Sequence, residues 1–391
     1  MIVCTATLKG NWAAELAKWS THDTTYHIVN ADKKVIPEAQ VTIINYDLLH
    51  RRELPGHFDT VICDEAHYLR TTETKRTEAA LKYLAAAKLR IVITGTPIVS
   101  SPYDLWPVLS VSGLPLADNY LDNYVIEELR ERDNGRGGTF VYVKRFGKNQ
   151  EQLQTLLREQ CMVRRLKKDV LPQLPEKTMQ YIAIPGIKAK YEEGVDAIEA
   201  RVKNVLDAGP DHKEDDTHLS TLRREQAIAK APYVVDHITE LLEGSEAPLV
   251  AWGHHHEVIA LLKAGLAKYK PLCIDGGVDA RLRPAIVAAF QAGQSRVFIG
   301  SLYAASEGIT LTAASTAVFA EIDYDFTKID QAEARLHRIG QKNAVVSQVM
   351  LMENSIDAMI LRAMRGKANE STMAVGGYTW CGADCRFPIK K

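Results

Sequence analysis

The sequence contains no apolar run approaching the roughly 18 residues a membrane-spanning helix needs, so no membrane partner is expected. It also has almost no net charge: 48 lysines and arginines stand against 49 acids, a formal −1. That excludes a wholly basic nucleic-acid binder or a basic tail, and any polyanion must be met by a local patch. Residues 1–9 have no cationic lead and too short an apolar stretch for a secretory signal. The expected location is therefore cytoplasmic or nucleoid-associated, or nuclear in a eukaryote. Cysteine is sparse, with six residues scattered along the chain and four of them in apolar segments. They read as reduced, buried thiols and not as a disulfide framework. What remains is ordinary for a soluble globular protein, with 46% apolar and 25% charged residues. A length of 391 residues is enough for two or three domains with cores of their own.

Short apolar runs alternate with helical patterns over the first hundred residues. Ile2-Val3-Cys4, Val41-Thr42-Ile43-Ile44, Thr60-Val61-Ile62-Cys63 and Arg90-Ile91-Val92-Ile93 are predicted strands, with an alanine-rich helix over 77–88 before the last. The alternation argues for βαβ units and a parallel sheet, whose buried strands read as continuous apolar runs. Between about 102 and 185 the pattern breaks into a stretch read as mixed and helical, with glycines at 135, 137 and 138. From 141 to 177 there are 9 Lys/Arg against 4 Asp/Glu, a local positive surplus. A helix is predicted over 188–206, followed by an acidic polar loop. Alternation then resumes with strands expected at 249–252, 272–274, 297–299, 317–320 and 346–352. The expected fold class is α/β, two parallel-sheet lobes joined by a basic helical bridge.

Four segments carry chemistry. In Val61-Ile62-Cys63-Asp64-Glu65-Ala66-His67 an apolar strand ends in two acids, and ligands of parallel sheets lie outside the carboxyl ends of strands. Asp64 is placed to hold Mg²⁺ through water, Glu65 to polarise an attacking water, and His67 to sense a bound nucleotide. The bland alternative is that the two acids cap the next helix. Thr94-Gly95-Thr96-Pro97 ends another strand, with small residues for close backbone approach and two hydroxyls to bond both the acidic site and a ligand. By itself this could be a plain turn. In the run from Gln331 to Gln341, Arg335 and Arg338 are three apart and would share a helix face. Two guanidinium groups aimed at one point suit charge spread over phosphoryl oxygens, although one Arg pair is more often a solvated basic face. The segment from Ser301 through Gly308 and Thr310 to Thr312 leaves a strand, turns through glycine and is rich in small hydroxyl residues. It could contact the phosphates of a polymer.

In this order the segments resemble the Swi/Snf-related family of superfamily-two helicase-like DNA translocases, along nearly the whole chain. Residues 1–12 are similar to the family's first DNA-contacting motif, with Thr5 where proline is usual. Asn45-Tyr46-Asp47-Leu48-Leu49 resembles its next landmark. Arg164-Arg165-Leu166-Lys167-Lys168-Asp169-Val170, continuing to Leu174-Pro175-Glu176-Lys177, resembles the link between the family's two motor lobes. Phe319-Ala320-Glu321 before the arginine segment is similar to the annealing-helicase and fork-remodelling branch, with Tyr324-Asp325-Phe326 where Trp-Asn-Pro is usual.

The resemblance implies two RecA-like lobes: 1–165, with a helical insertion from about 102, and 232–368. Residues 166–231 would form the linker and helical bridge, and 369–391 a tail. It implies ATP and Mg²⁺ in a cleft, with Asp64 on the metal, Glu65 as base, His67 and Gln331 in support, and Arg335 and Arg338 as fingers. Thr94, Gly95, Thr96 and Gly308 would couple that cleft to DNA. Double-stranded or forked DNA would lie against Thr7, Lys9, Tyr46, Ser301 and Thr310. Arg164, Arg165, Lys167 and Lys168 could track its phosphates, or the arginines could brace the lobes.

The family's phosphate loop, G-x-x-x-x-G-K-[ST], does not occur in the sequence: Gly147-Lys148 and Gly366-Lys367 lack both the upstream glycine and the following hydroxyl. Losing about four charge-assisted hydrogen bonds at roughly 1.5–3 kcal/mol each removes on the order of 6–12 kcal/mol of nucleotide binding. The absent strand would also leave an unpaired edge in the first sheet. The chain is then a fragment or mis-started frame, one half of a split enzyme whose separate partner chain supplies the loop, or a degenerate relative. The expected function is a DNA translocase inactive alone. The alternatives are a non-catalytic DNA- or partner-binding module, or a small-molecule enzyme with accidental motifs. His254-His255-His256 reads as structural, because neighbours on a strand point to opposite faces. Cys381 and Cys385 make at most half a zinc site.

Overall fold

The computed structural model describes residues 1–32, 35–98, 100–133, 139–165, 167–191, 194–208, 217–279, 281–305 and 308–362. The chain divides into two compact units, with the change-over between Arg164 and Arg165. No helix of the described residues is long and apolar enough to cross a membrane.

The first unit is built on five parallel strands: β1 (Ile2–Cys4), β2 (Tyr26–Ile28), β3 (Val41–Asn45), β4 (Thr60–Asp64) and β5 (Leu89–Ile93). Their order in the sheet is β2-β3-β1-β4-β5. The central β1 pairs Ile2 with Ile43 on one side and with Ile62 on the other. Val3, Cys4, Ile43, Ile44, Val61 and Cys63 are wholly enclosed, which is why these segments read as unbroken apolar runs. Helix Lys75–Ala86 begins at Thr74, whose side chain accepts the Thr77 amide, and packs Ala80 and Leu84 into the same core.

The stretch read as a helical insertion contains a two-stranded antiparallel ribbon, β6 (Val125–Asp133) with β7 (Thr139–Gly147). The misreading has a physical cause. Glu127-Glu128-Leu129-Arg130-Glu131-Arg132 mixes charges as a solvated helix does, but the pairing is across strands: Glu127 meets Arg145 at 2.7 Å. The glycines between the strands were the signal for a hairpin, and they lie outside the described residues.

The second unit holds six parallel strands in the order β10-β11-β9-β12-β13-β8. They are β8 (Lys177–Lys188), β9 (Leu249–Gly253), β10 (Leu272–Ile274), β11 (Val297–Ser301), β12 (Thr316–Phe319) and β13 (Val345–Glu353). Within the expected linker and helical bridge over 166–231 lies the strand β8: residues 177–188 run beside β13 from Lys177↔Val345 onward. The helix predicted from 188 begins at Val195 for the same reason. Helix Thr217–Gly244 buries Ala227, Ala231, Val234, Ile238 and Leu242 at helical spacing. Gly300 in β11 is required by close approach, since a Cβ there would lie 2.4 Å from the Trp252 ring. Of the cysteines, Cys4 and Cys63 are buried as expected, Cys161 is exposed, and Cys381 and Cys385 lie outside the described residues.

Candidate functional site

In the first unit, β4 delivers Asp64 at its carboxyl end. The carboxylate is held at both oxygens, Oδ1 accepting the Glu65 amide at 2.9 Å and Oδ2 the Trp12 indole N–H at 2.8 Å. Trp12 was read as the last residue of the segment similar to a DNA-contacting motif, and no spacing rule pointed from it to Asp64. Glu65 has φ +51°, a left-handed conformation uncommon for a residue with a side chain. Such strain, about 1–3 kcal/mol, persists only where the surroundings over-determine it. Glu65 makes no side-chain cap bond to the turn Ala66–Leu69, so a helix-capping role for it fails. Its carboxylate faces His67 instead, with Oε2 3.3 Å from Nδ1.

The same His67 nitrogen lies 3.4 Å from the Thr94 hydroxyl at the end of β5. The ends of β4 and β5 are thereby joined through a buried imidazole. Thr94 Oγ1 also accepts the Thr96 amide at 3.1 Å, which holds the turn through exposed Gly95. The Thr96 hydroxyl is buried without a hydrogen-bond partner. Among the described residues no group of three or more His, Cys, Asp or Glu could hold a metal. An Asp64 whose oxygens are both hydrogen-bonded fits a Mg²⁺ held through water, as that ion usually keeps several waters and takes one or two carboxylates plus phosphates.

Two residues expected against DNA are engaged inside this unit. Tyr46 is buried and donates its hydroxyl to the Asp64 carbonyl at 2.7 Å, so it supports the carboxylate turn and presents no surface. Lys9 donates to the Val29 carbonyl at 2.9 Å, and burial pushes its pKa down. Thr7 is half-buried, with its hydroxyl 3.0 Å from that of Thr5. Arg164 is half-buried, its pKa pushed down by burial and by Arg158.

In the second unit the arginine segment is not helical throughout. Helix Phe326–Glu333 stops before Arg335, and Arg335 and Arg338 lie on the turn that follows. They still converge, because both guanidinium groups reach the Ile309 carbonyl, at 3.5 Å and 3.1 Å. The Leu311 amide returns a bond to the Arg335 carbonyl at 2.9 Å, tying the glycine loop to the turn. Gly308 has φ +73°, which suits glycine. Gln331 Oε1 is buried without a partner. Ser301 is buried, its hydroxyl oxygen accepting the Tyr303 and Ala304 amides, so it caps a turn and is not displayed to DNA. Thr310 is half-buried and Arg165 exposed; the Lys168 side chain lies outside the described residues. Lys167 is exposed, and its ammonium donates to the His337 carbonyl at 3.0 Å.

One polar network here was not anticipated in its detail. Glu321, fully buried, accepts the His254 and His255 amides at 2.7 and 3.0 Å and bonds the His255 ring. Burial alone would raise its pKa. The His255 hydrogen bond and charge, Arg223 and the His254 amide outweigh that and hold it at about 2. Asp323 accepts the Tyr303 hydroxyl at 3.0 Å and lies 3.6 Å from His254 Nδ1. Burial, then Arg223, pushes His254 down to about 4. His254 and His255 thus serve structure, but not by strand alternation: they lie on the bend after β9 with their rings 4.5 Å apart, and it is Glu321 and Asp323 that engage them.

Comparison with known proteins divides the chain further along, at residue 234 and not at the change-over between the compact units. The SNF2-related domain matches residues 1–234, and the helicase conserved C-terminal domain matches residues 234–340. A Caenorhabditis elegans protein named "SWI/SNF-related matrix-associated actin-dependent regulator of chromatin subfamily A-like protein 1 homolog" is 30% identical over 386 residues, covering 94% of this chain and 54% of that protein. "DNA annealing helicase and endonuclease ZRANB3" of Mus musculus is 29% identical over 409 residues, covering 96% of this chain and 36% of that protein. The chain thus spans about half or less of the length of these relatives. A solved structure, "Sulfolobus solfataricus SWI2/SNF2 ATPase core in complex with dsDNA", aligns at 20% identity over 96% of this chain and 82% of that one, with a TM-score of 0.37. That score is too low to add weight to the sequence matches.

Proposed function

The chain belongs to the SNF2-related family, and on that premise we propose that it is part of an ATP-driven translocase acting on duplex or forked DNA. The observation that supports this most is the linked set Asp64, Glu65, His67 and Thr94. It couples a carboxylate pair at one strand end to a hydroxyl at the next, through hydrogen-bond contacts. In this reading Asp64 takes a hydrated Mg²⁺ and Glu65 orients water. Arg335 and Arg338 supply guanidinium charge to phosphoryl oxygens, an effect on the order of 10³–10⁵ in rate when aligned. ATP and Mg²⁺ are the cofactors, and the setting is wherever the cell keeps its DNA.

The cradle for the triphosphate is not encoded within residues 1–391. The edge of the first sheet supports an outside source for it. Among the described residues β5 pairs only with β4, yet its apolar side chains are exposed on both faces: Leu89 by 53%, Ile91 by 37%, Val92 by 38% and Ile93 by 41%. That is the composition of an interior strand at the position of an edge, a combination natural proteins avoid. A further parallel strand beside β5 would end on the same side as Asp64 and Thr94, where a glycine-rich loop could follow it. A strand on the same polypeptide and one on a separate chain would both meet this edge.

The test measures duplex-stimulated ATP turnover by residues 1–391 alone and after mixing with a segment carrying an apolar strand and G-x-x-x-x-G-K-[ST]. Negligible turnover alone and recovery on mixing are expected. Robust hydrolysis by the chain alone would overturn the account of the loop. Duplex binding with no turnover in either arm would favour the second reading, a DNA- or partner-binding module without catalysis, which the missing cradle supports.

A further inference from the structure

The segment between the arginine pair of residues 164–165 and β8 is bonded to the arginine turn at three points. Lys167 Nζ donates to the His337 carbonyl at 3.0 Å, and that carbonyl lies between Arg335 and Arg338 in sequence. His337 Nε2 donates in turn to the Pro175 carbonyl at 2.8 Å. Lys177 pairs with the buried Glu333 carboxylate, which also accepts the Ser347 hydroxyl at 2.9 Å. Glu333 ends the helix and its carbonyl accepts the His337 amide at 3.0 Å. From the other side, Arg335 and Arg338 reach the Ile309 carbonyl, the Leu311 amide donates to the Arg335 carbonyl, and the Gln341 side-chain amide donates to the Ala314 carbonyl.

We propose that Lys167 is a positioning residue for phosphate chemistry: with Pro175 and Lys177 it straps the 167–177 segment onto the arginine turn and sets the direction of Arg335 and Arg338. The inference rests on the motor reading for its consequence, not for its geometry.

The electrostatics argue against an idle contact. The Lys167 ammonium is partly desolvated and shares its surroundings with Lys177, Arg335 and Arg338; these together push its pKa down, against the pull of Glu333. Like charges repel, so a fourth cation here needs a compensating interaction, and the His337 carbonyl supplies one. Lys167 is exposed as a residue, so it is the commitment of its ammonium to a backbone carbonyl, and not burial, that distinguishes it from a lysine serving only a duplex backbone. Losing the Lys167 bond frees the carbonyl between the two arginines. A turn free to rotate there misdirects both guanidinium groups at once, which matters most where charge develops in a transition state.

Lys167→Ala, Lys167→Met and Lys167→Arg test this in two ways. In residues 1–391 as they stand, hydrogen exchange over 334–341 should quicken on the order of tenfold in the Ala and Met variants, with β9 unchanged as the folding control and Arg restoring protection. In the assembly given the phosphate-loop segment, kcat should fall about tenfold in Ala and Met with KM for ATP and duplex affinity within about twofold, and Arg should recover most of it. Unchanged exchange with a loss of duplex affinity would overturn the strap and make Lys167 a phosphate-backbone contact. If no assembly hydrolyses ATP, the motor reading fails, while the exchange comparison still decides whether the strap exists.

Discussion

His254 makes the second unit acid-sensitive by a calculable amount. Its imidazole is enclosed beside the Tyr303 ring at 5.2 Å and the His255 ring at 4.5 Å, and its Nδ1 has no hydrogen-bond partner. Asp323 and Glu321 favour its protonation; burial, Arg223 and His255 oppose it and prevail, holding the pKa at about 4 against an ordinary 6.5. The folded state therefore resists a proton that the unfolded chain accepts. Above about pH 6.5 neither state binds it and stability is full. As pH falls from 6.5 towards 4, only the unfolded state gains the proton and stability is lost. A difference of about 2.5 pKa units at 1.36 kcal/mol each makes the loss about 3 kcal/mol. Proton NMR of the His254 ring should show no titration above about pH 5. Urea unfolding followed through β9 should lose that increment between pH 7 and pH 4, and His254→Gln should remove most of this slope. An ordinary titration midpoint near 6.5, or an unaltered slope in the variant, would refute the reasoning. Glu321, held at about 2 against an ordinary 4.5, acts in a lower window: its contribution is whole above 4.5 and fades as pH falls towards 2.

Other outcomes follow from single contacts. Tyr46→Phe, removing the hydroxyl that bonds the Asp64 carbonyl, should cost the first unit about 1 kcal/mol in urea unfolding and leave duplex affinity unchanged. Trp12→Phe keeps an aromatic ring but removes the indole N–H that Asp64 Oδ2 accepts, and should raise the Mg²⁺ concentration for half-maximal turnover of the completed assembly about tenfold. Val92→Lys on β5 should alter the stability of the chain alone by no more than about 0.5 kcal/mol while preventing an added loop segment from restoring turnover. Restoration at the unmodified level would place the added strand elsewhere.

Most strands were legible because burial on both faces demands unbroken apolar runs, and such runs can be seen without a partner: 2–4, 41–45, 60–64, 249–253 and 297–301 all fall where expected. The segments that escaped are those whose state depends on a neighbour. Residues 125–133 could pair charges along a helix or across a ribbon, and only the meeting of Glu127 with Arg145 chose the ribbon. Residues 177–188 became an edge strand because β13 offered them a ladder, which no local propensity reveals.

The candidate site divides in the same way. Residue type and position at strand ends pointed to Asp64, Glu65 and Thr94, since parallel sheets present their chemistry at carboxyl ends, whereas the arginine pair was picked on a helix-face spacing that the turn after Glu333 does not keep. Which way each side chain turned was a matter of tertiary contact. Tyr46 and Ser301 face inward because hydrogen-bond partners await them there, and Lys167 reaches a carbonyl 170 residues away. The sequence alone determined which chemical groups arrive at the strand ends, through local hydrophobic period and motif order. Tertiary structure alone decided their partners, because hydrogen bonds and charges are satisfied by proximity in space and have no period along the chain.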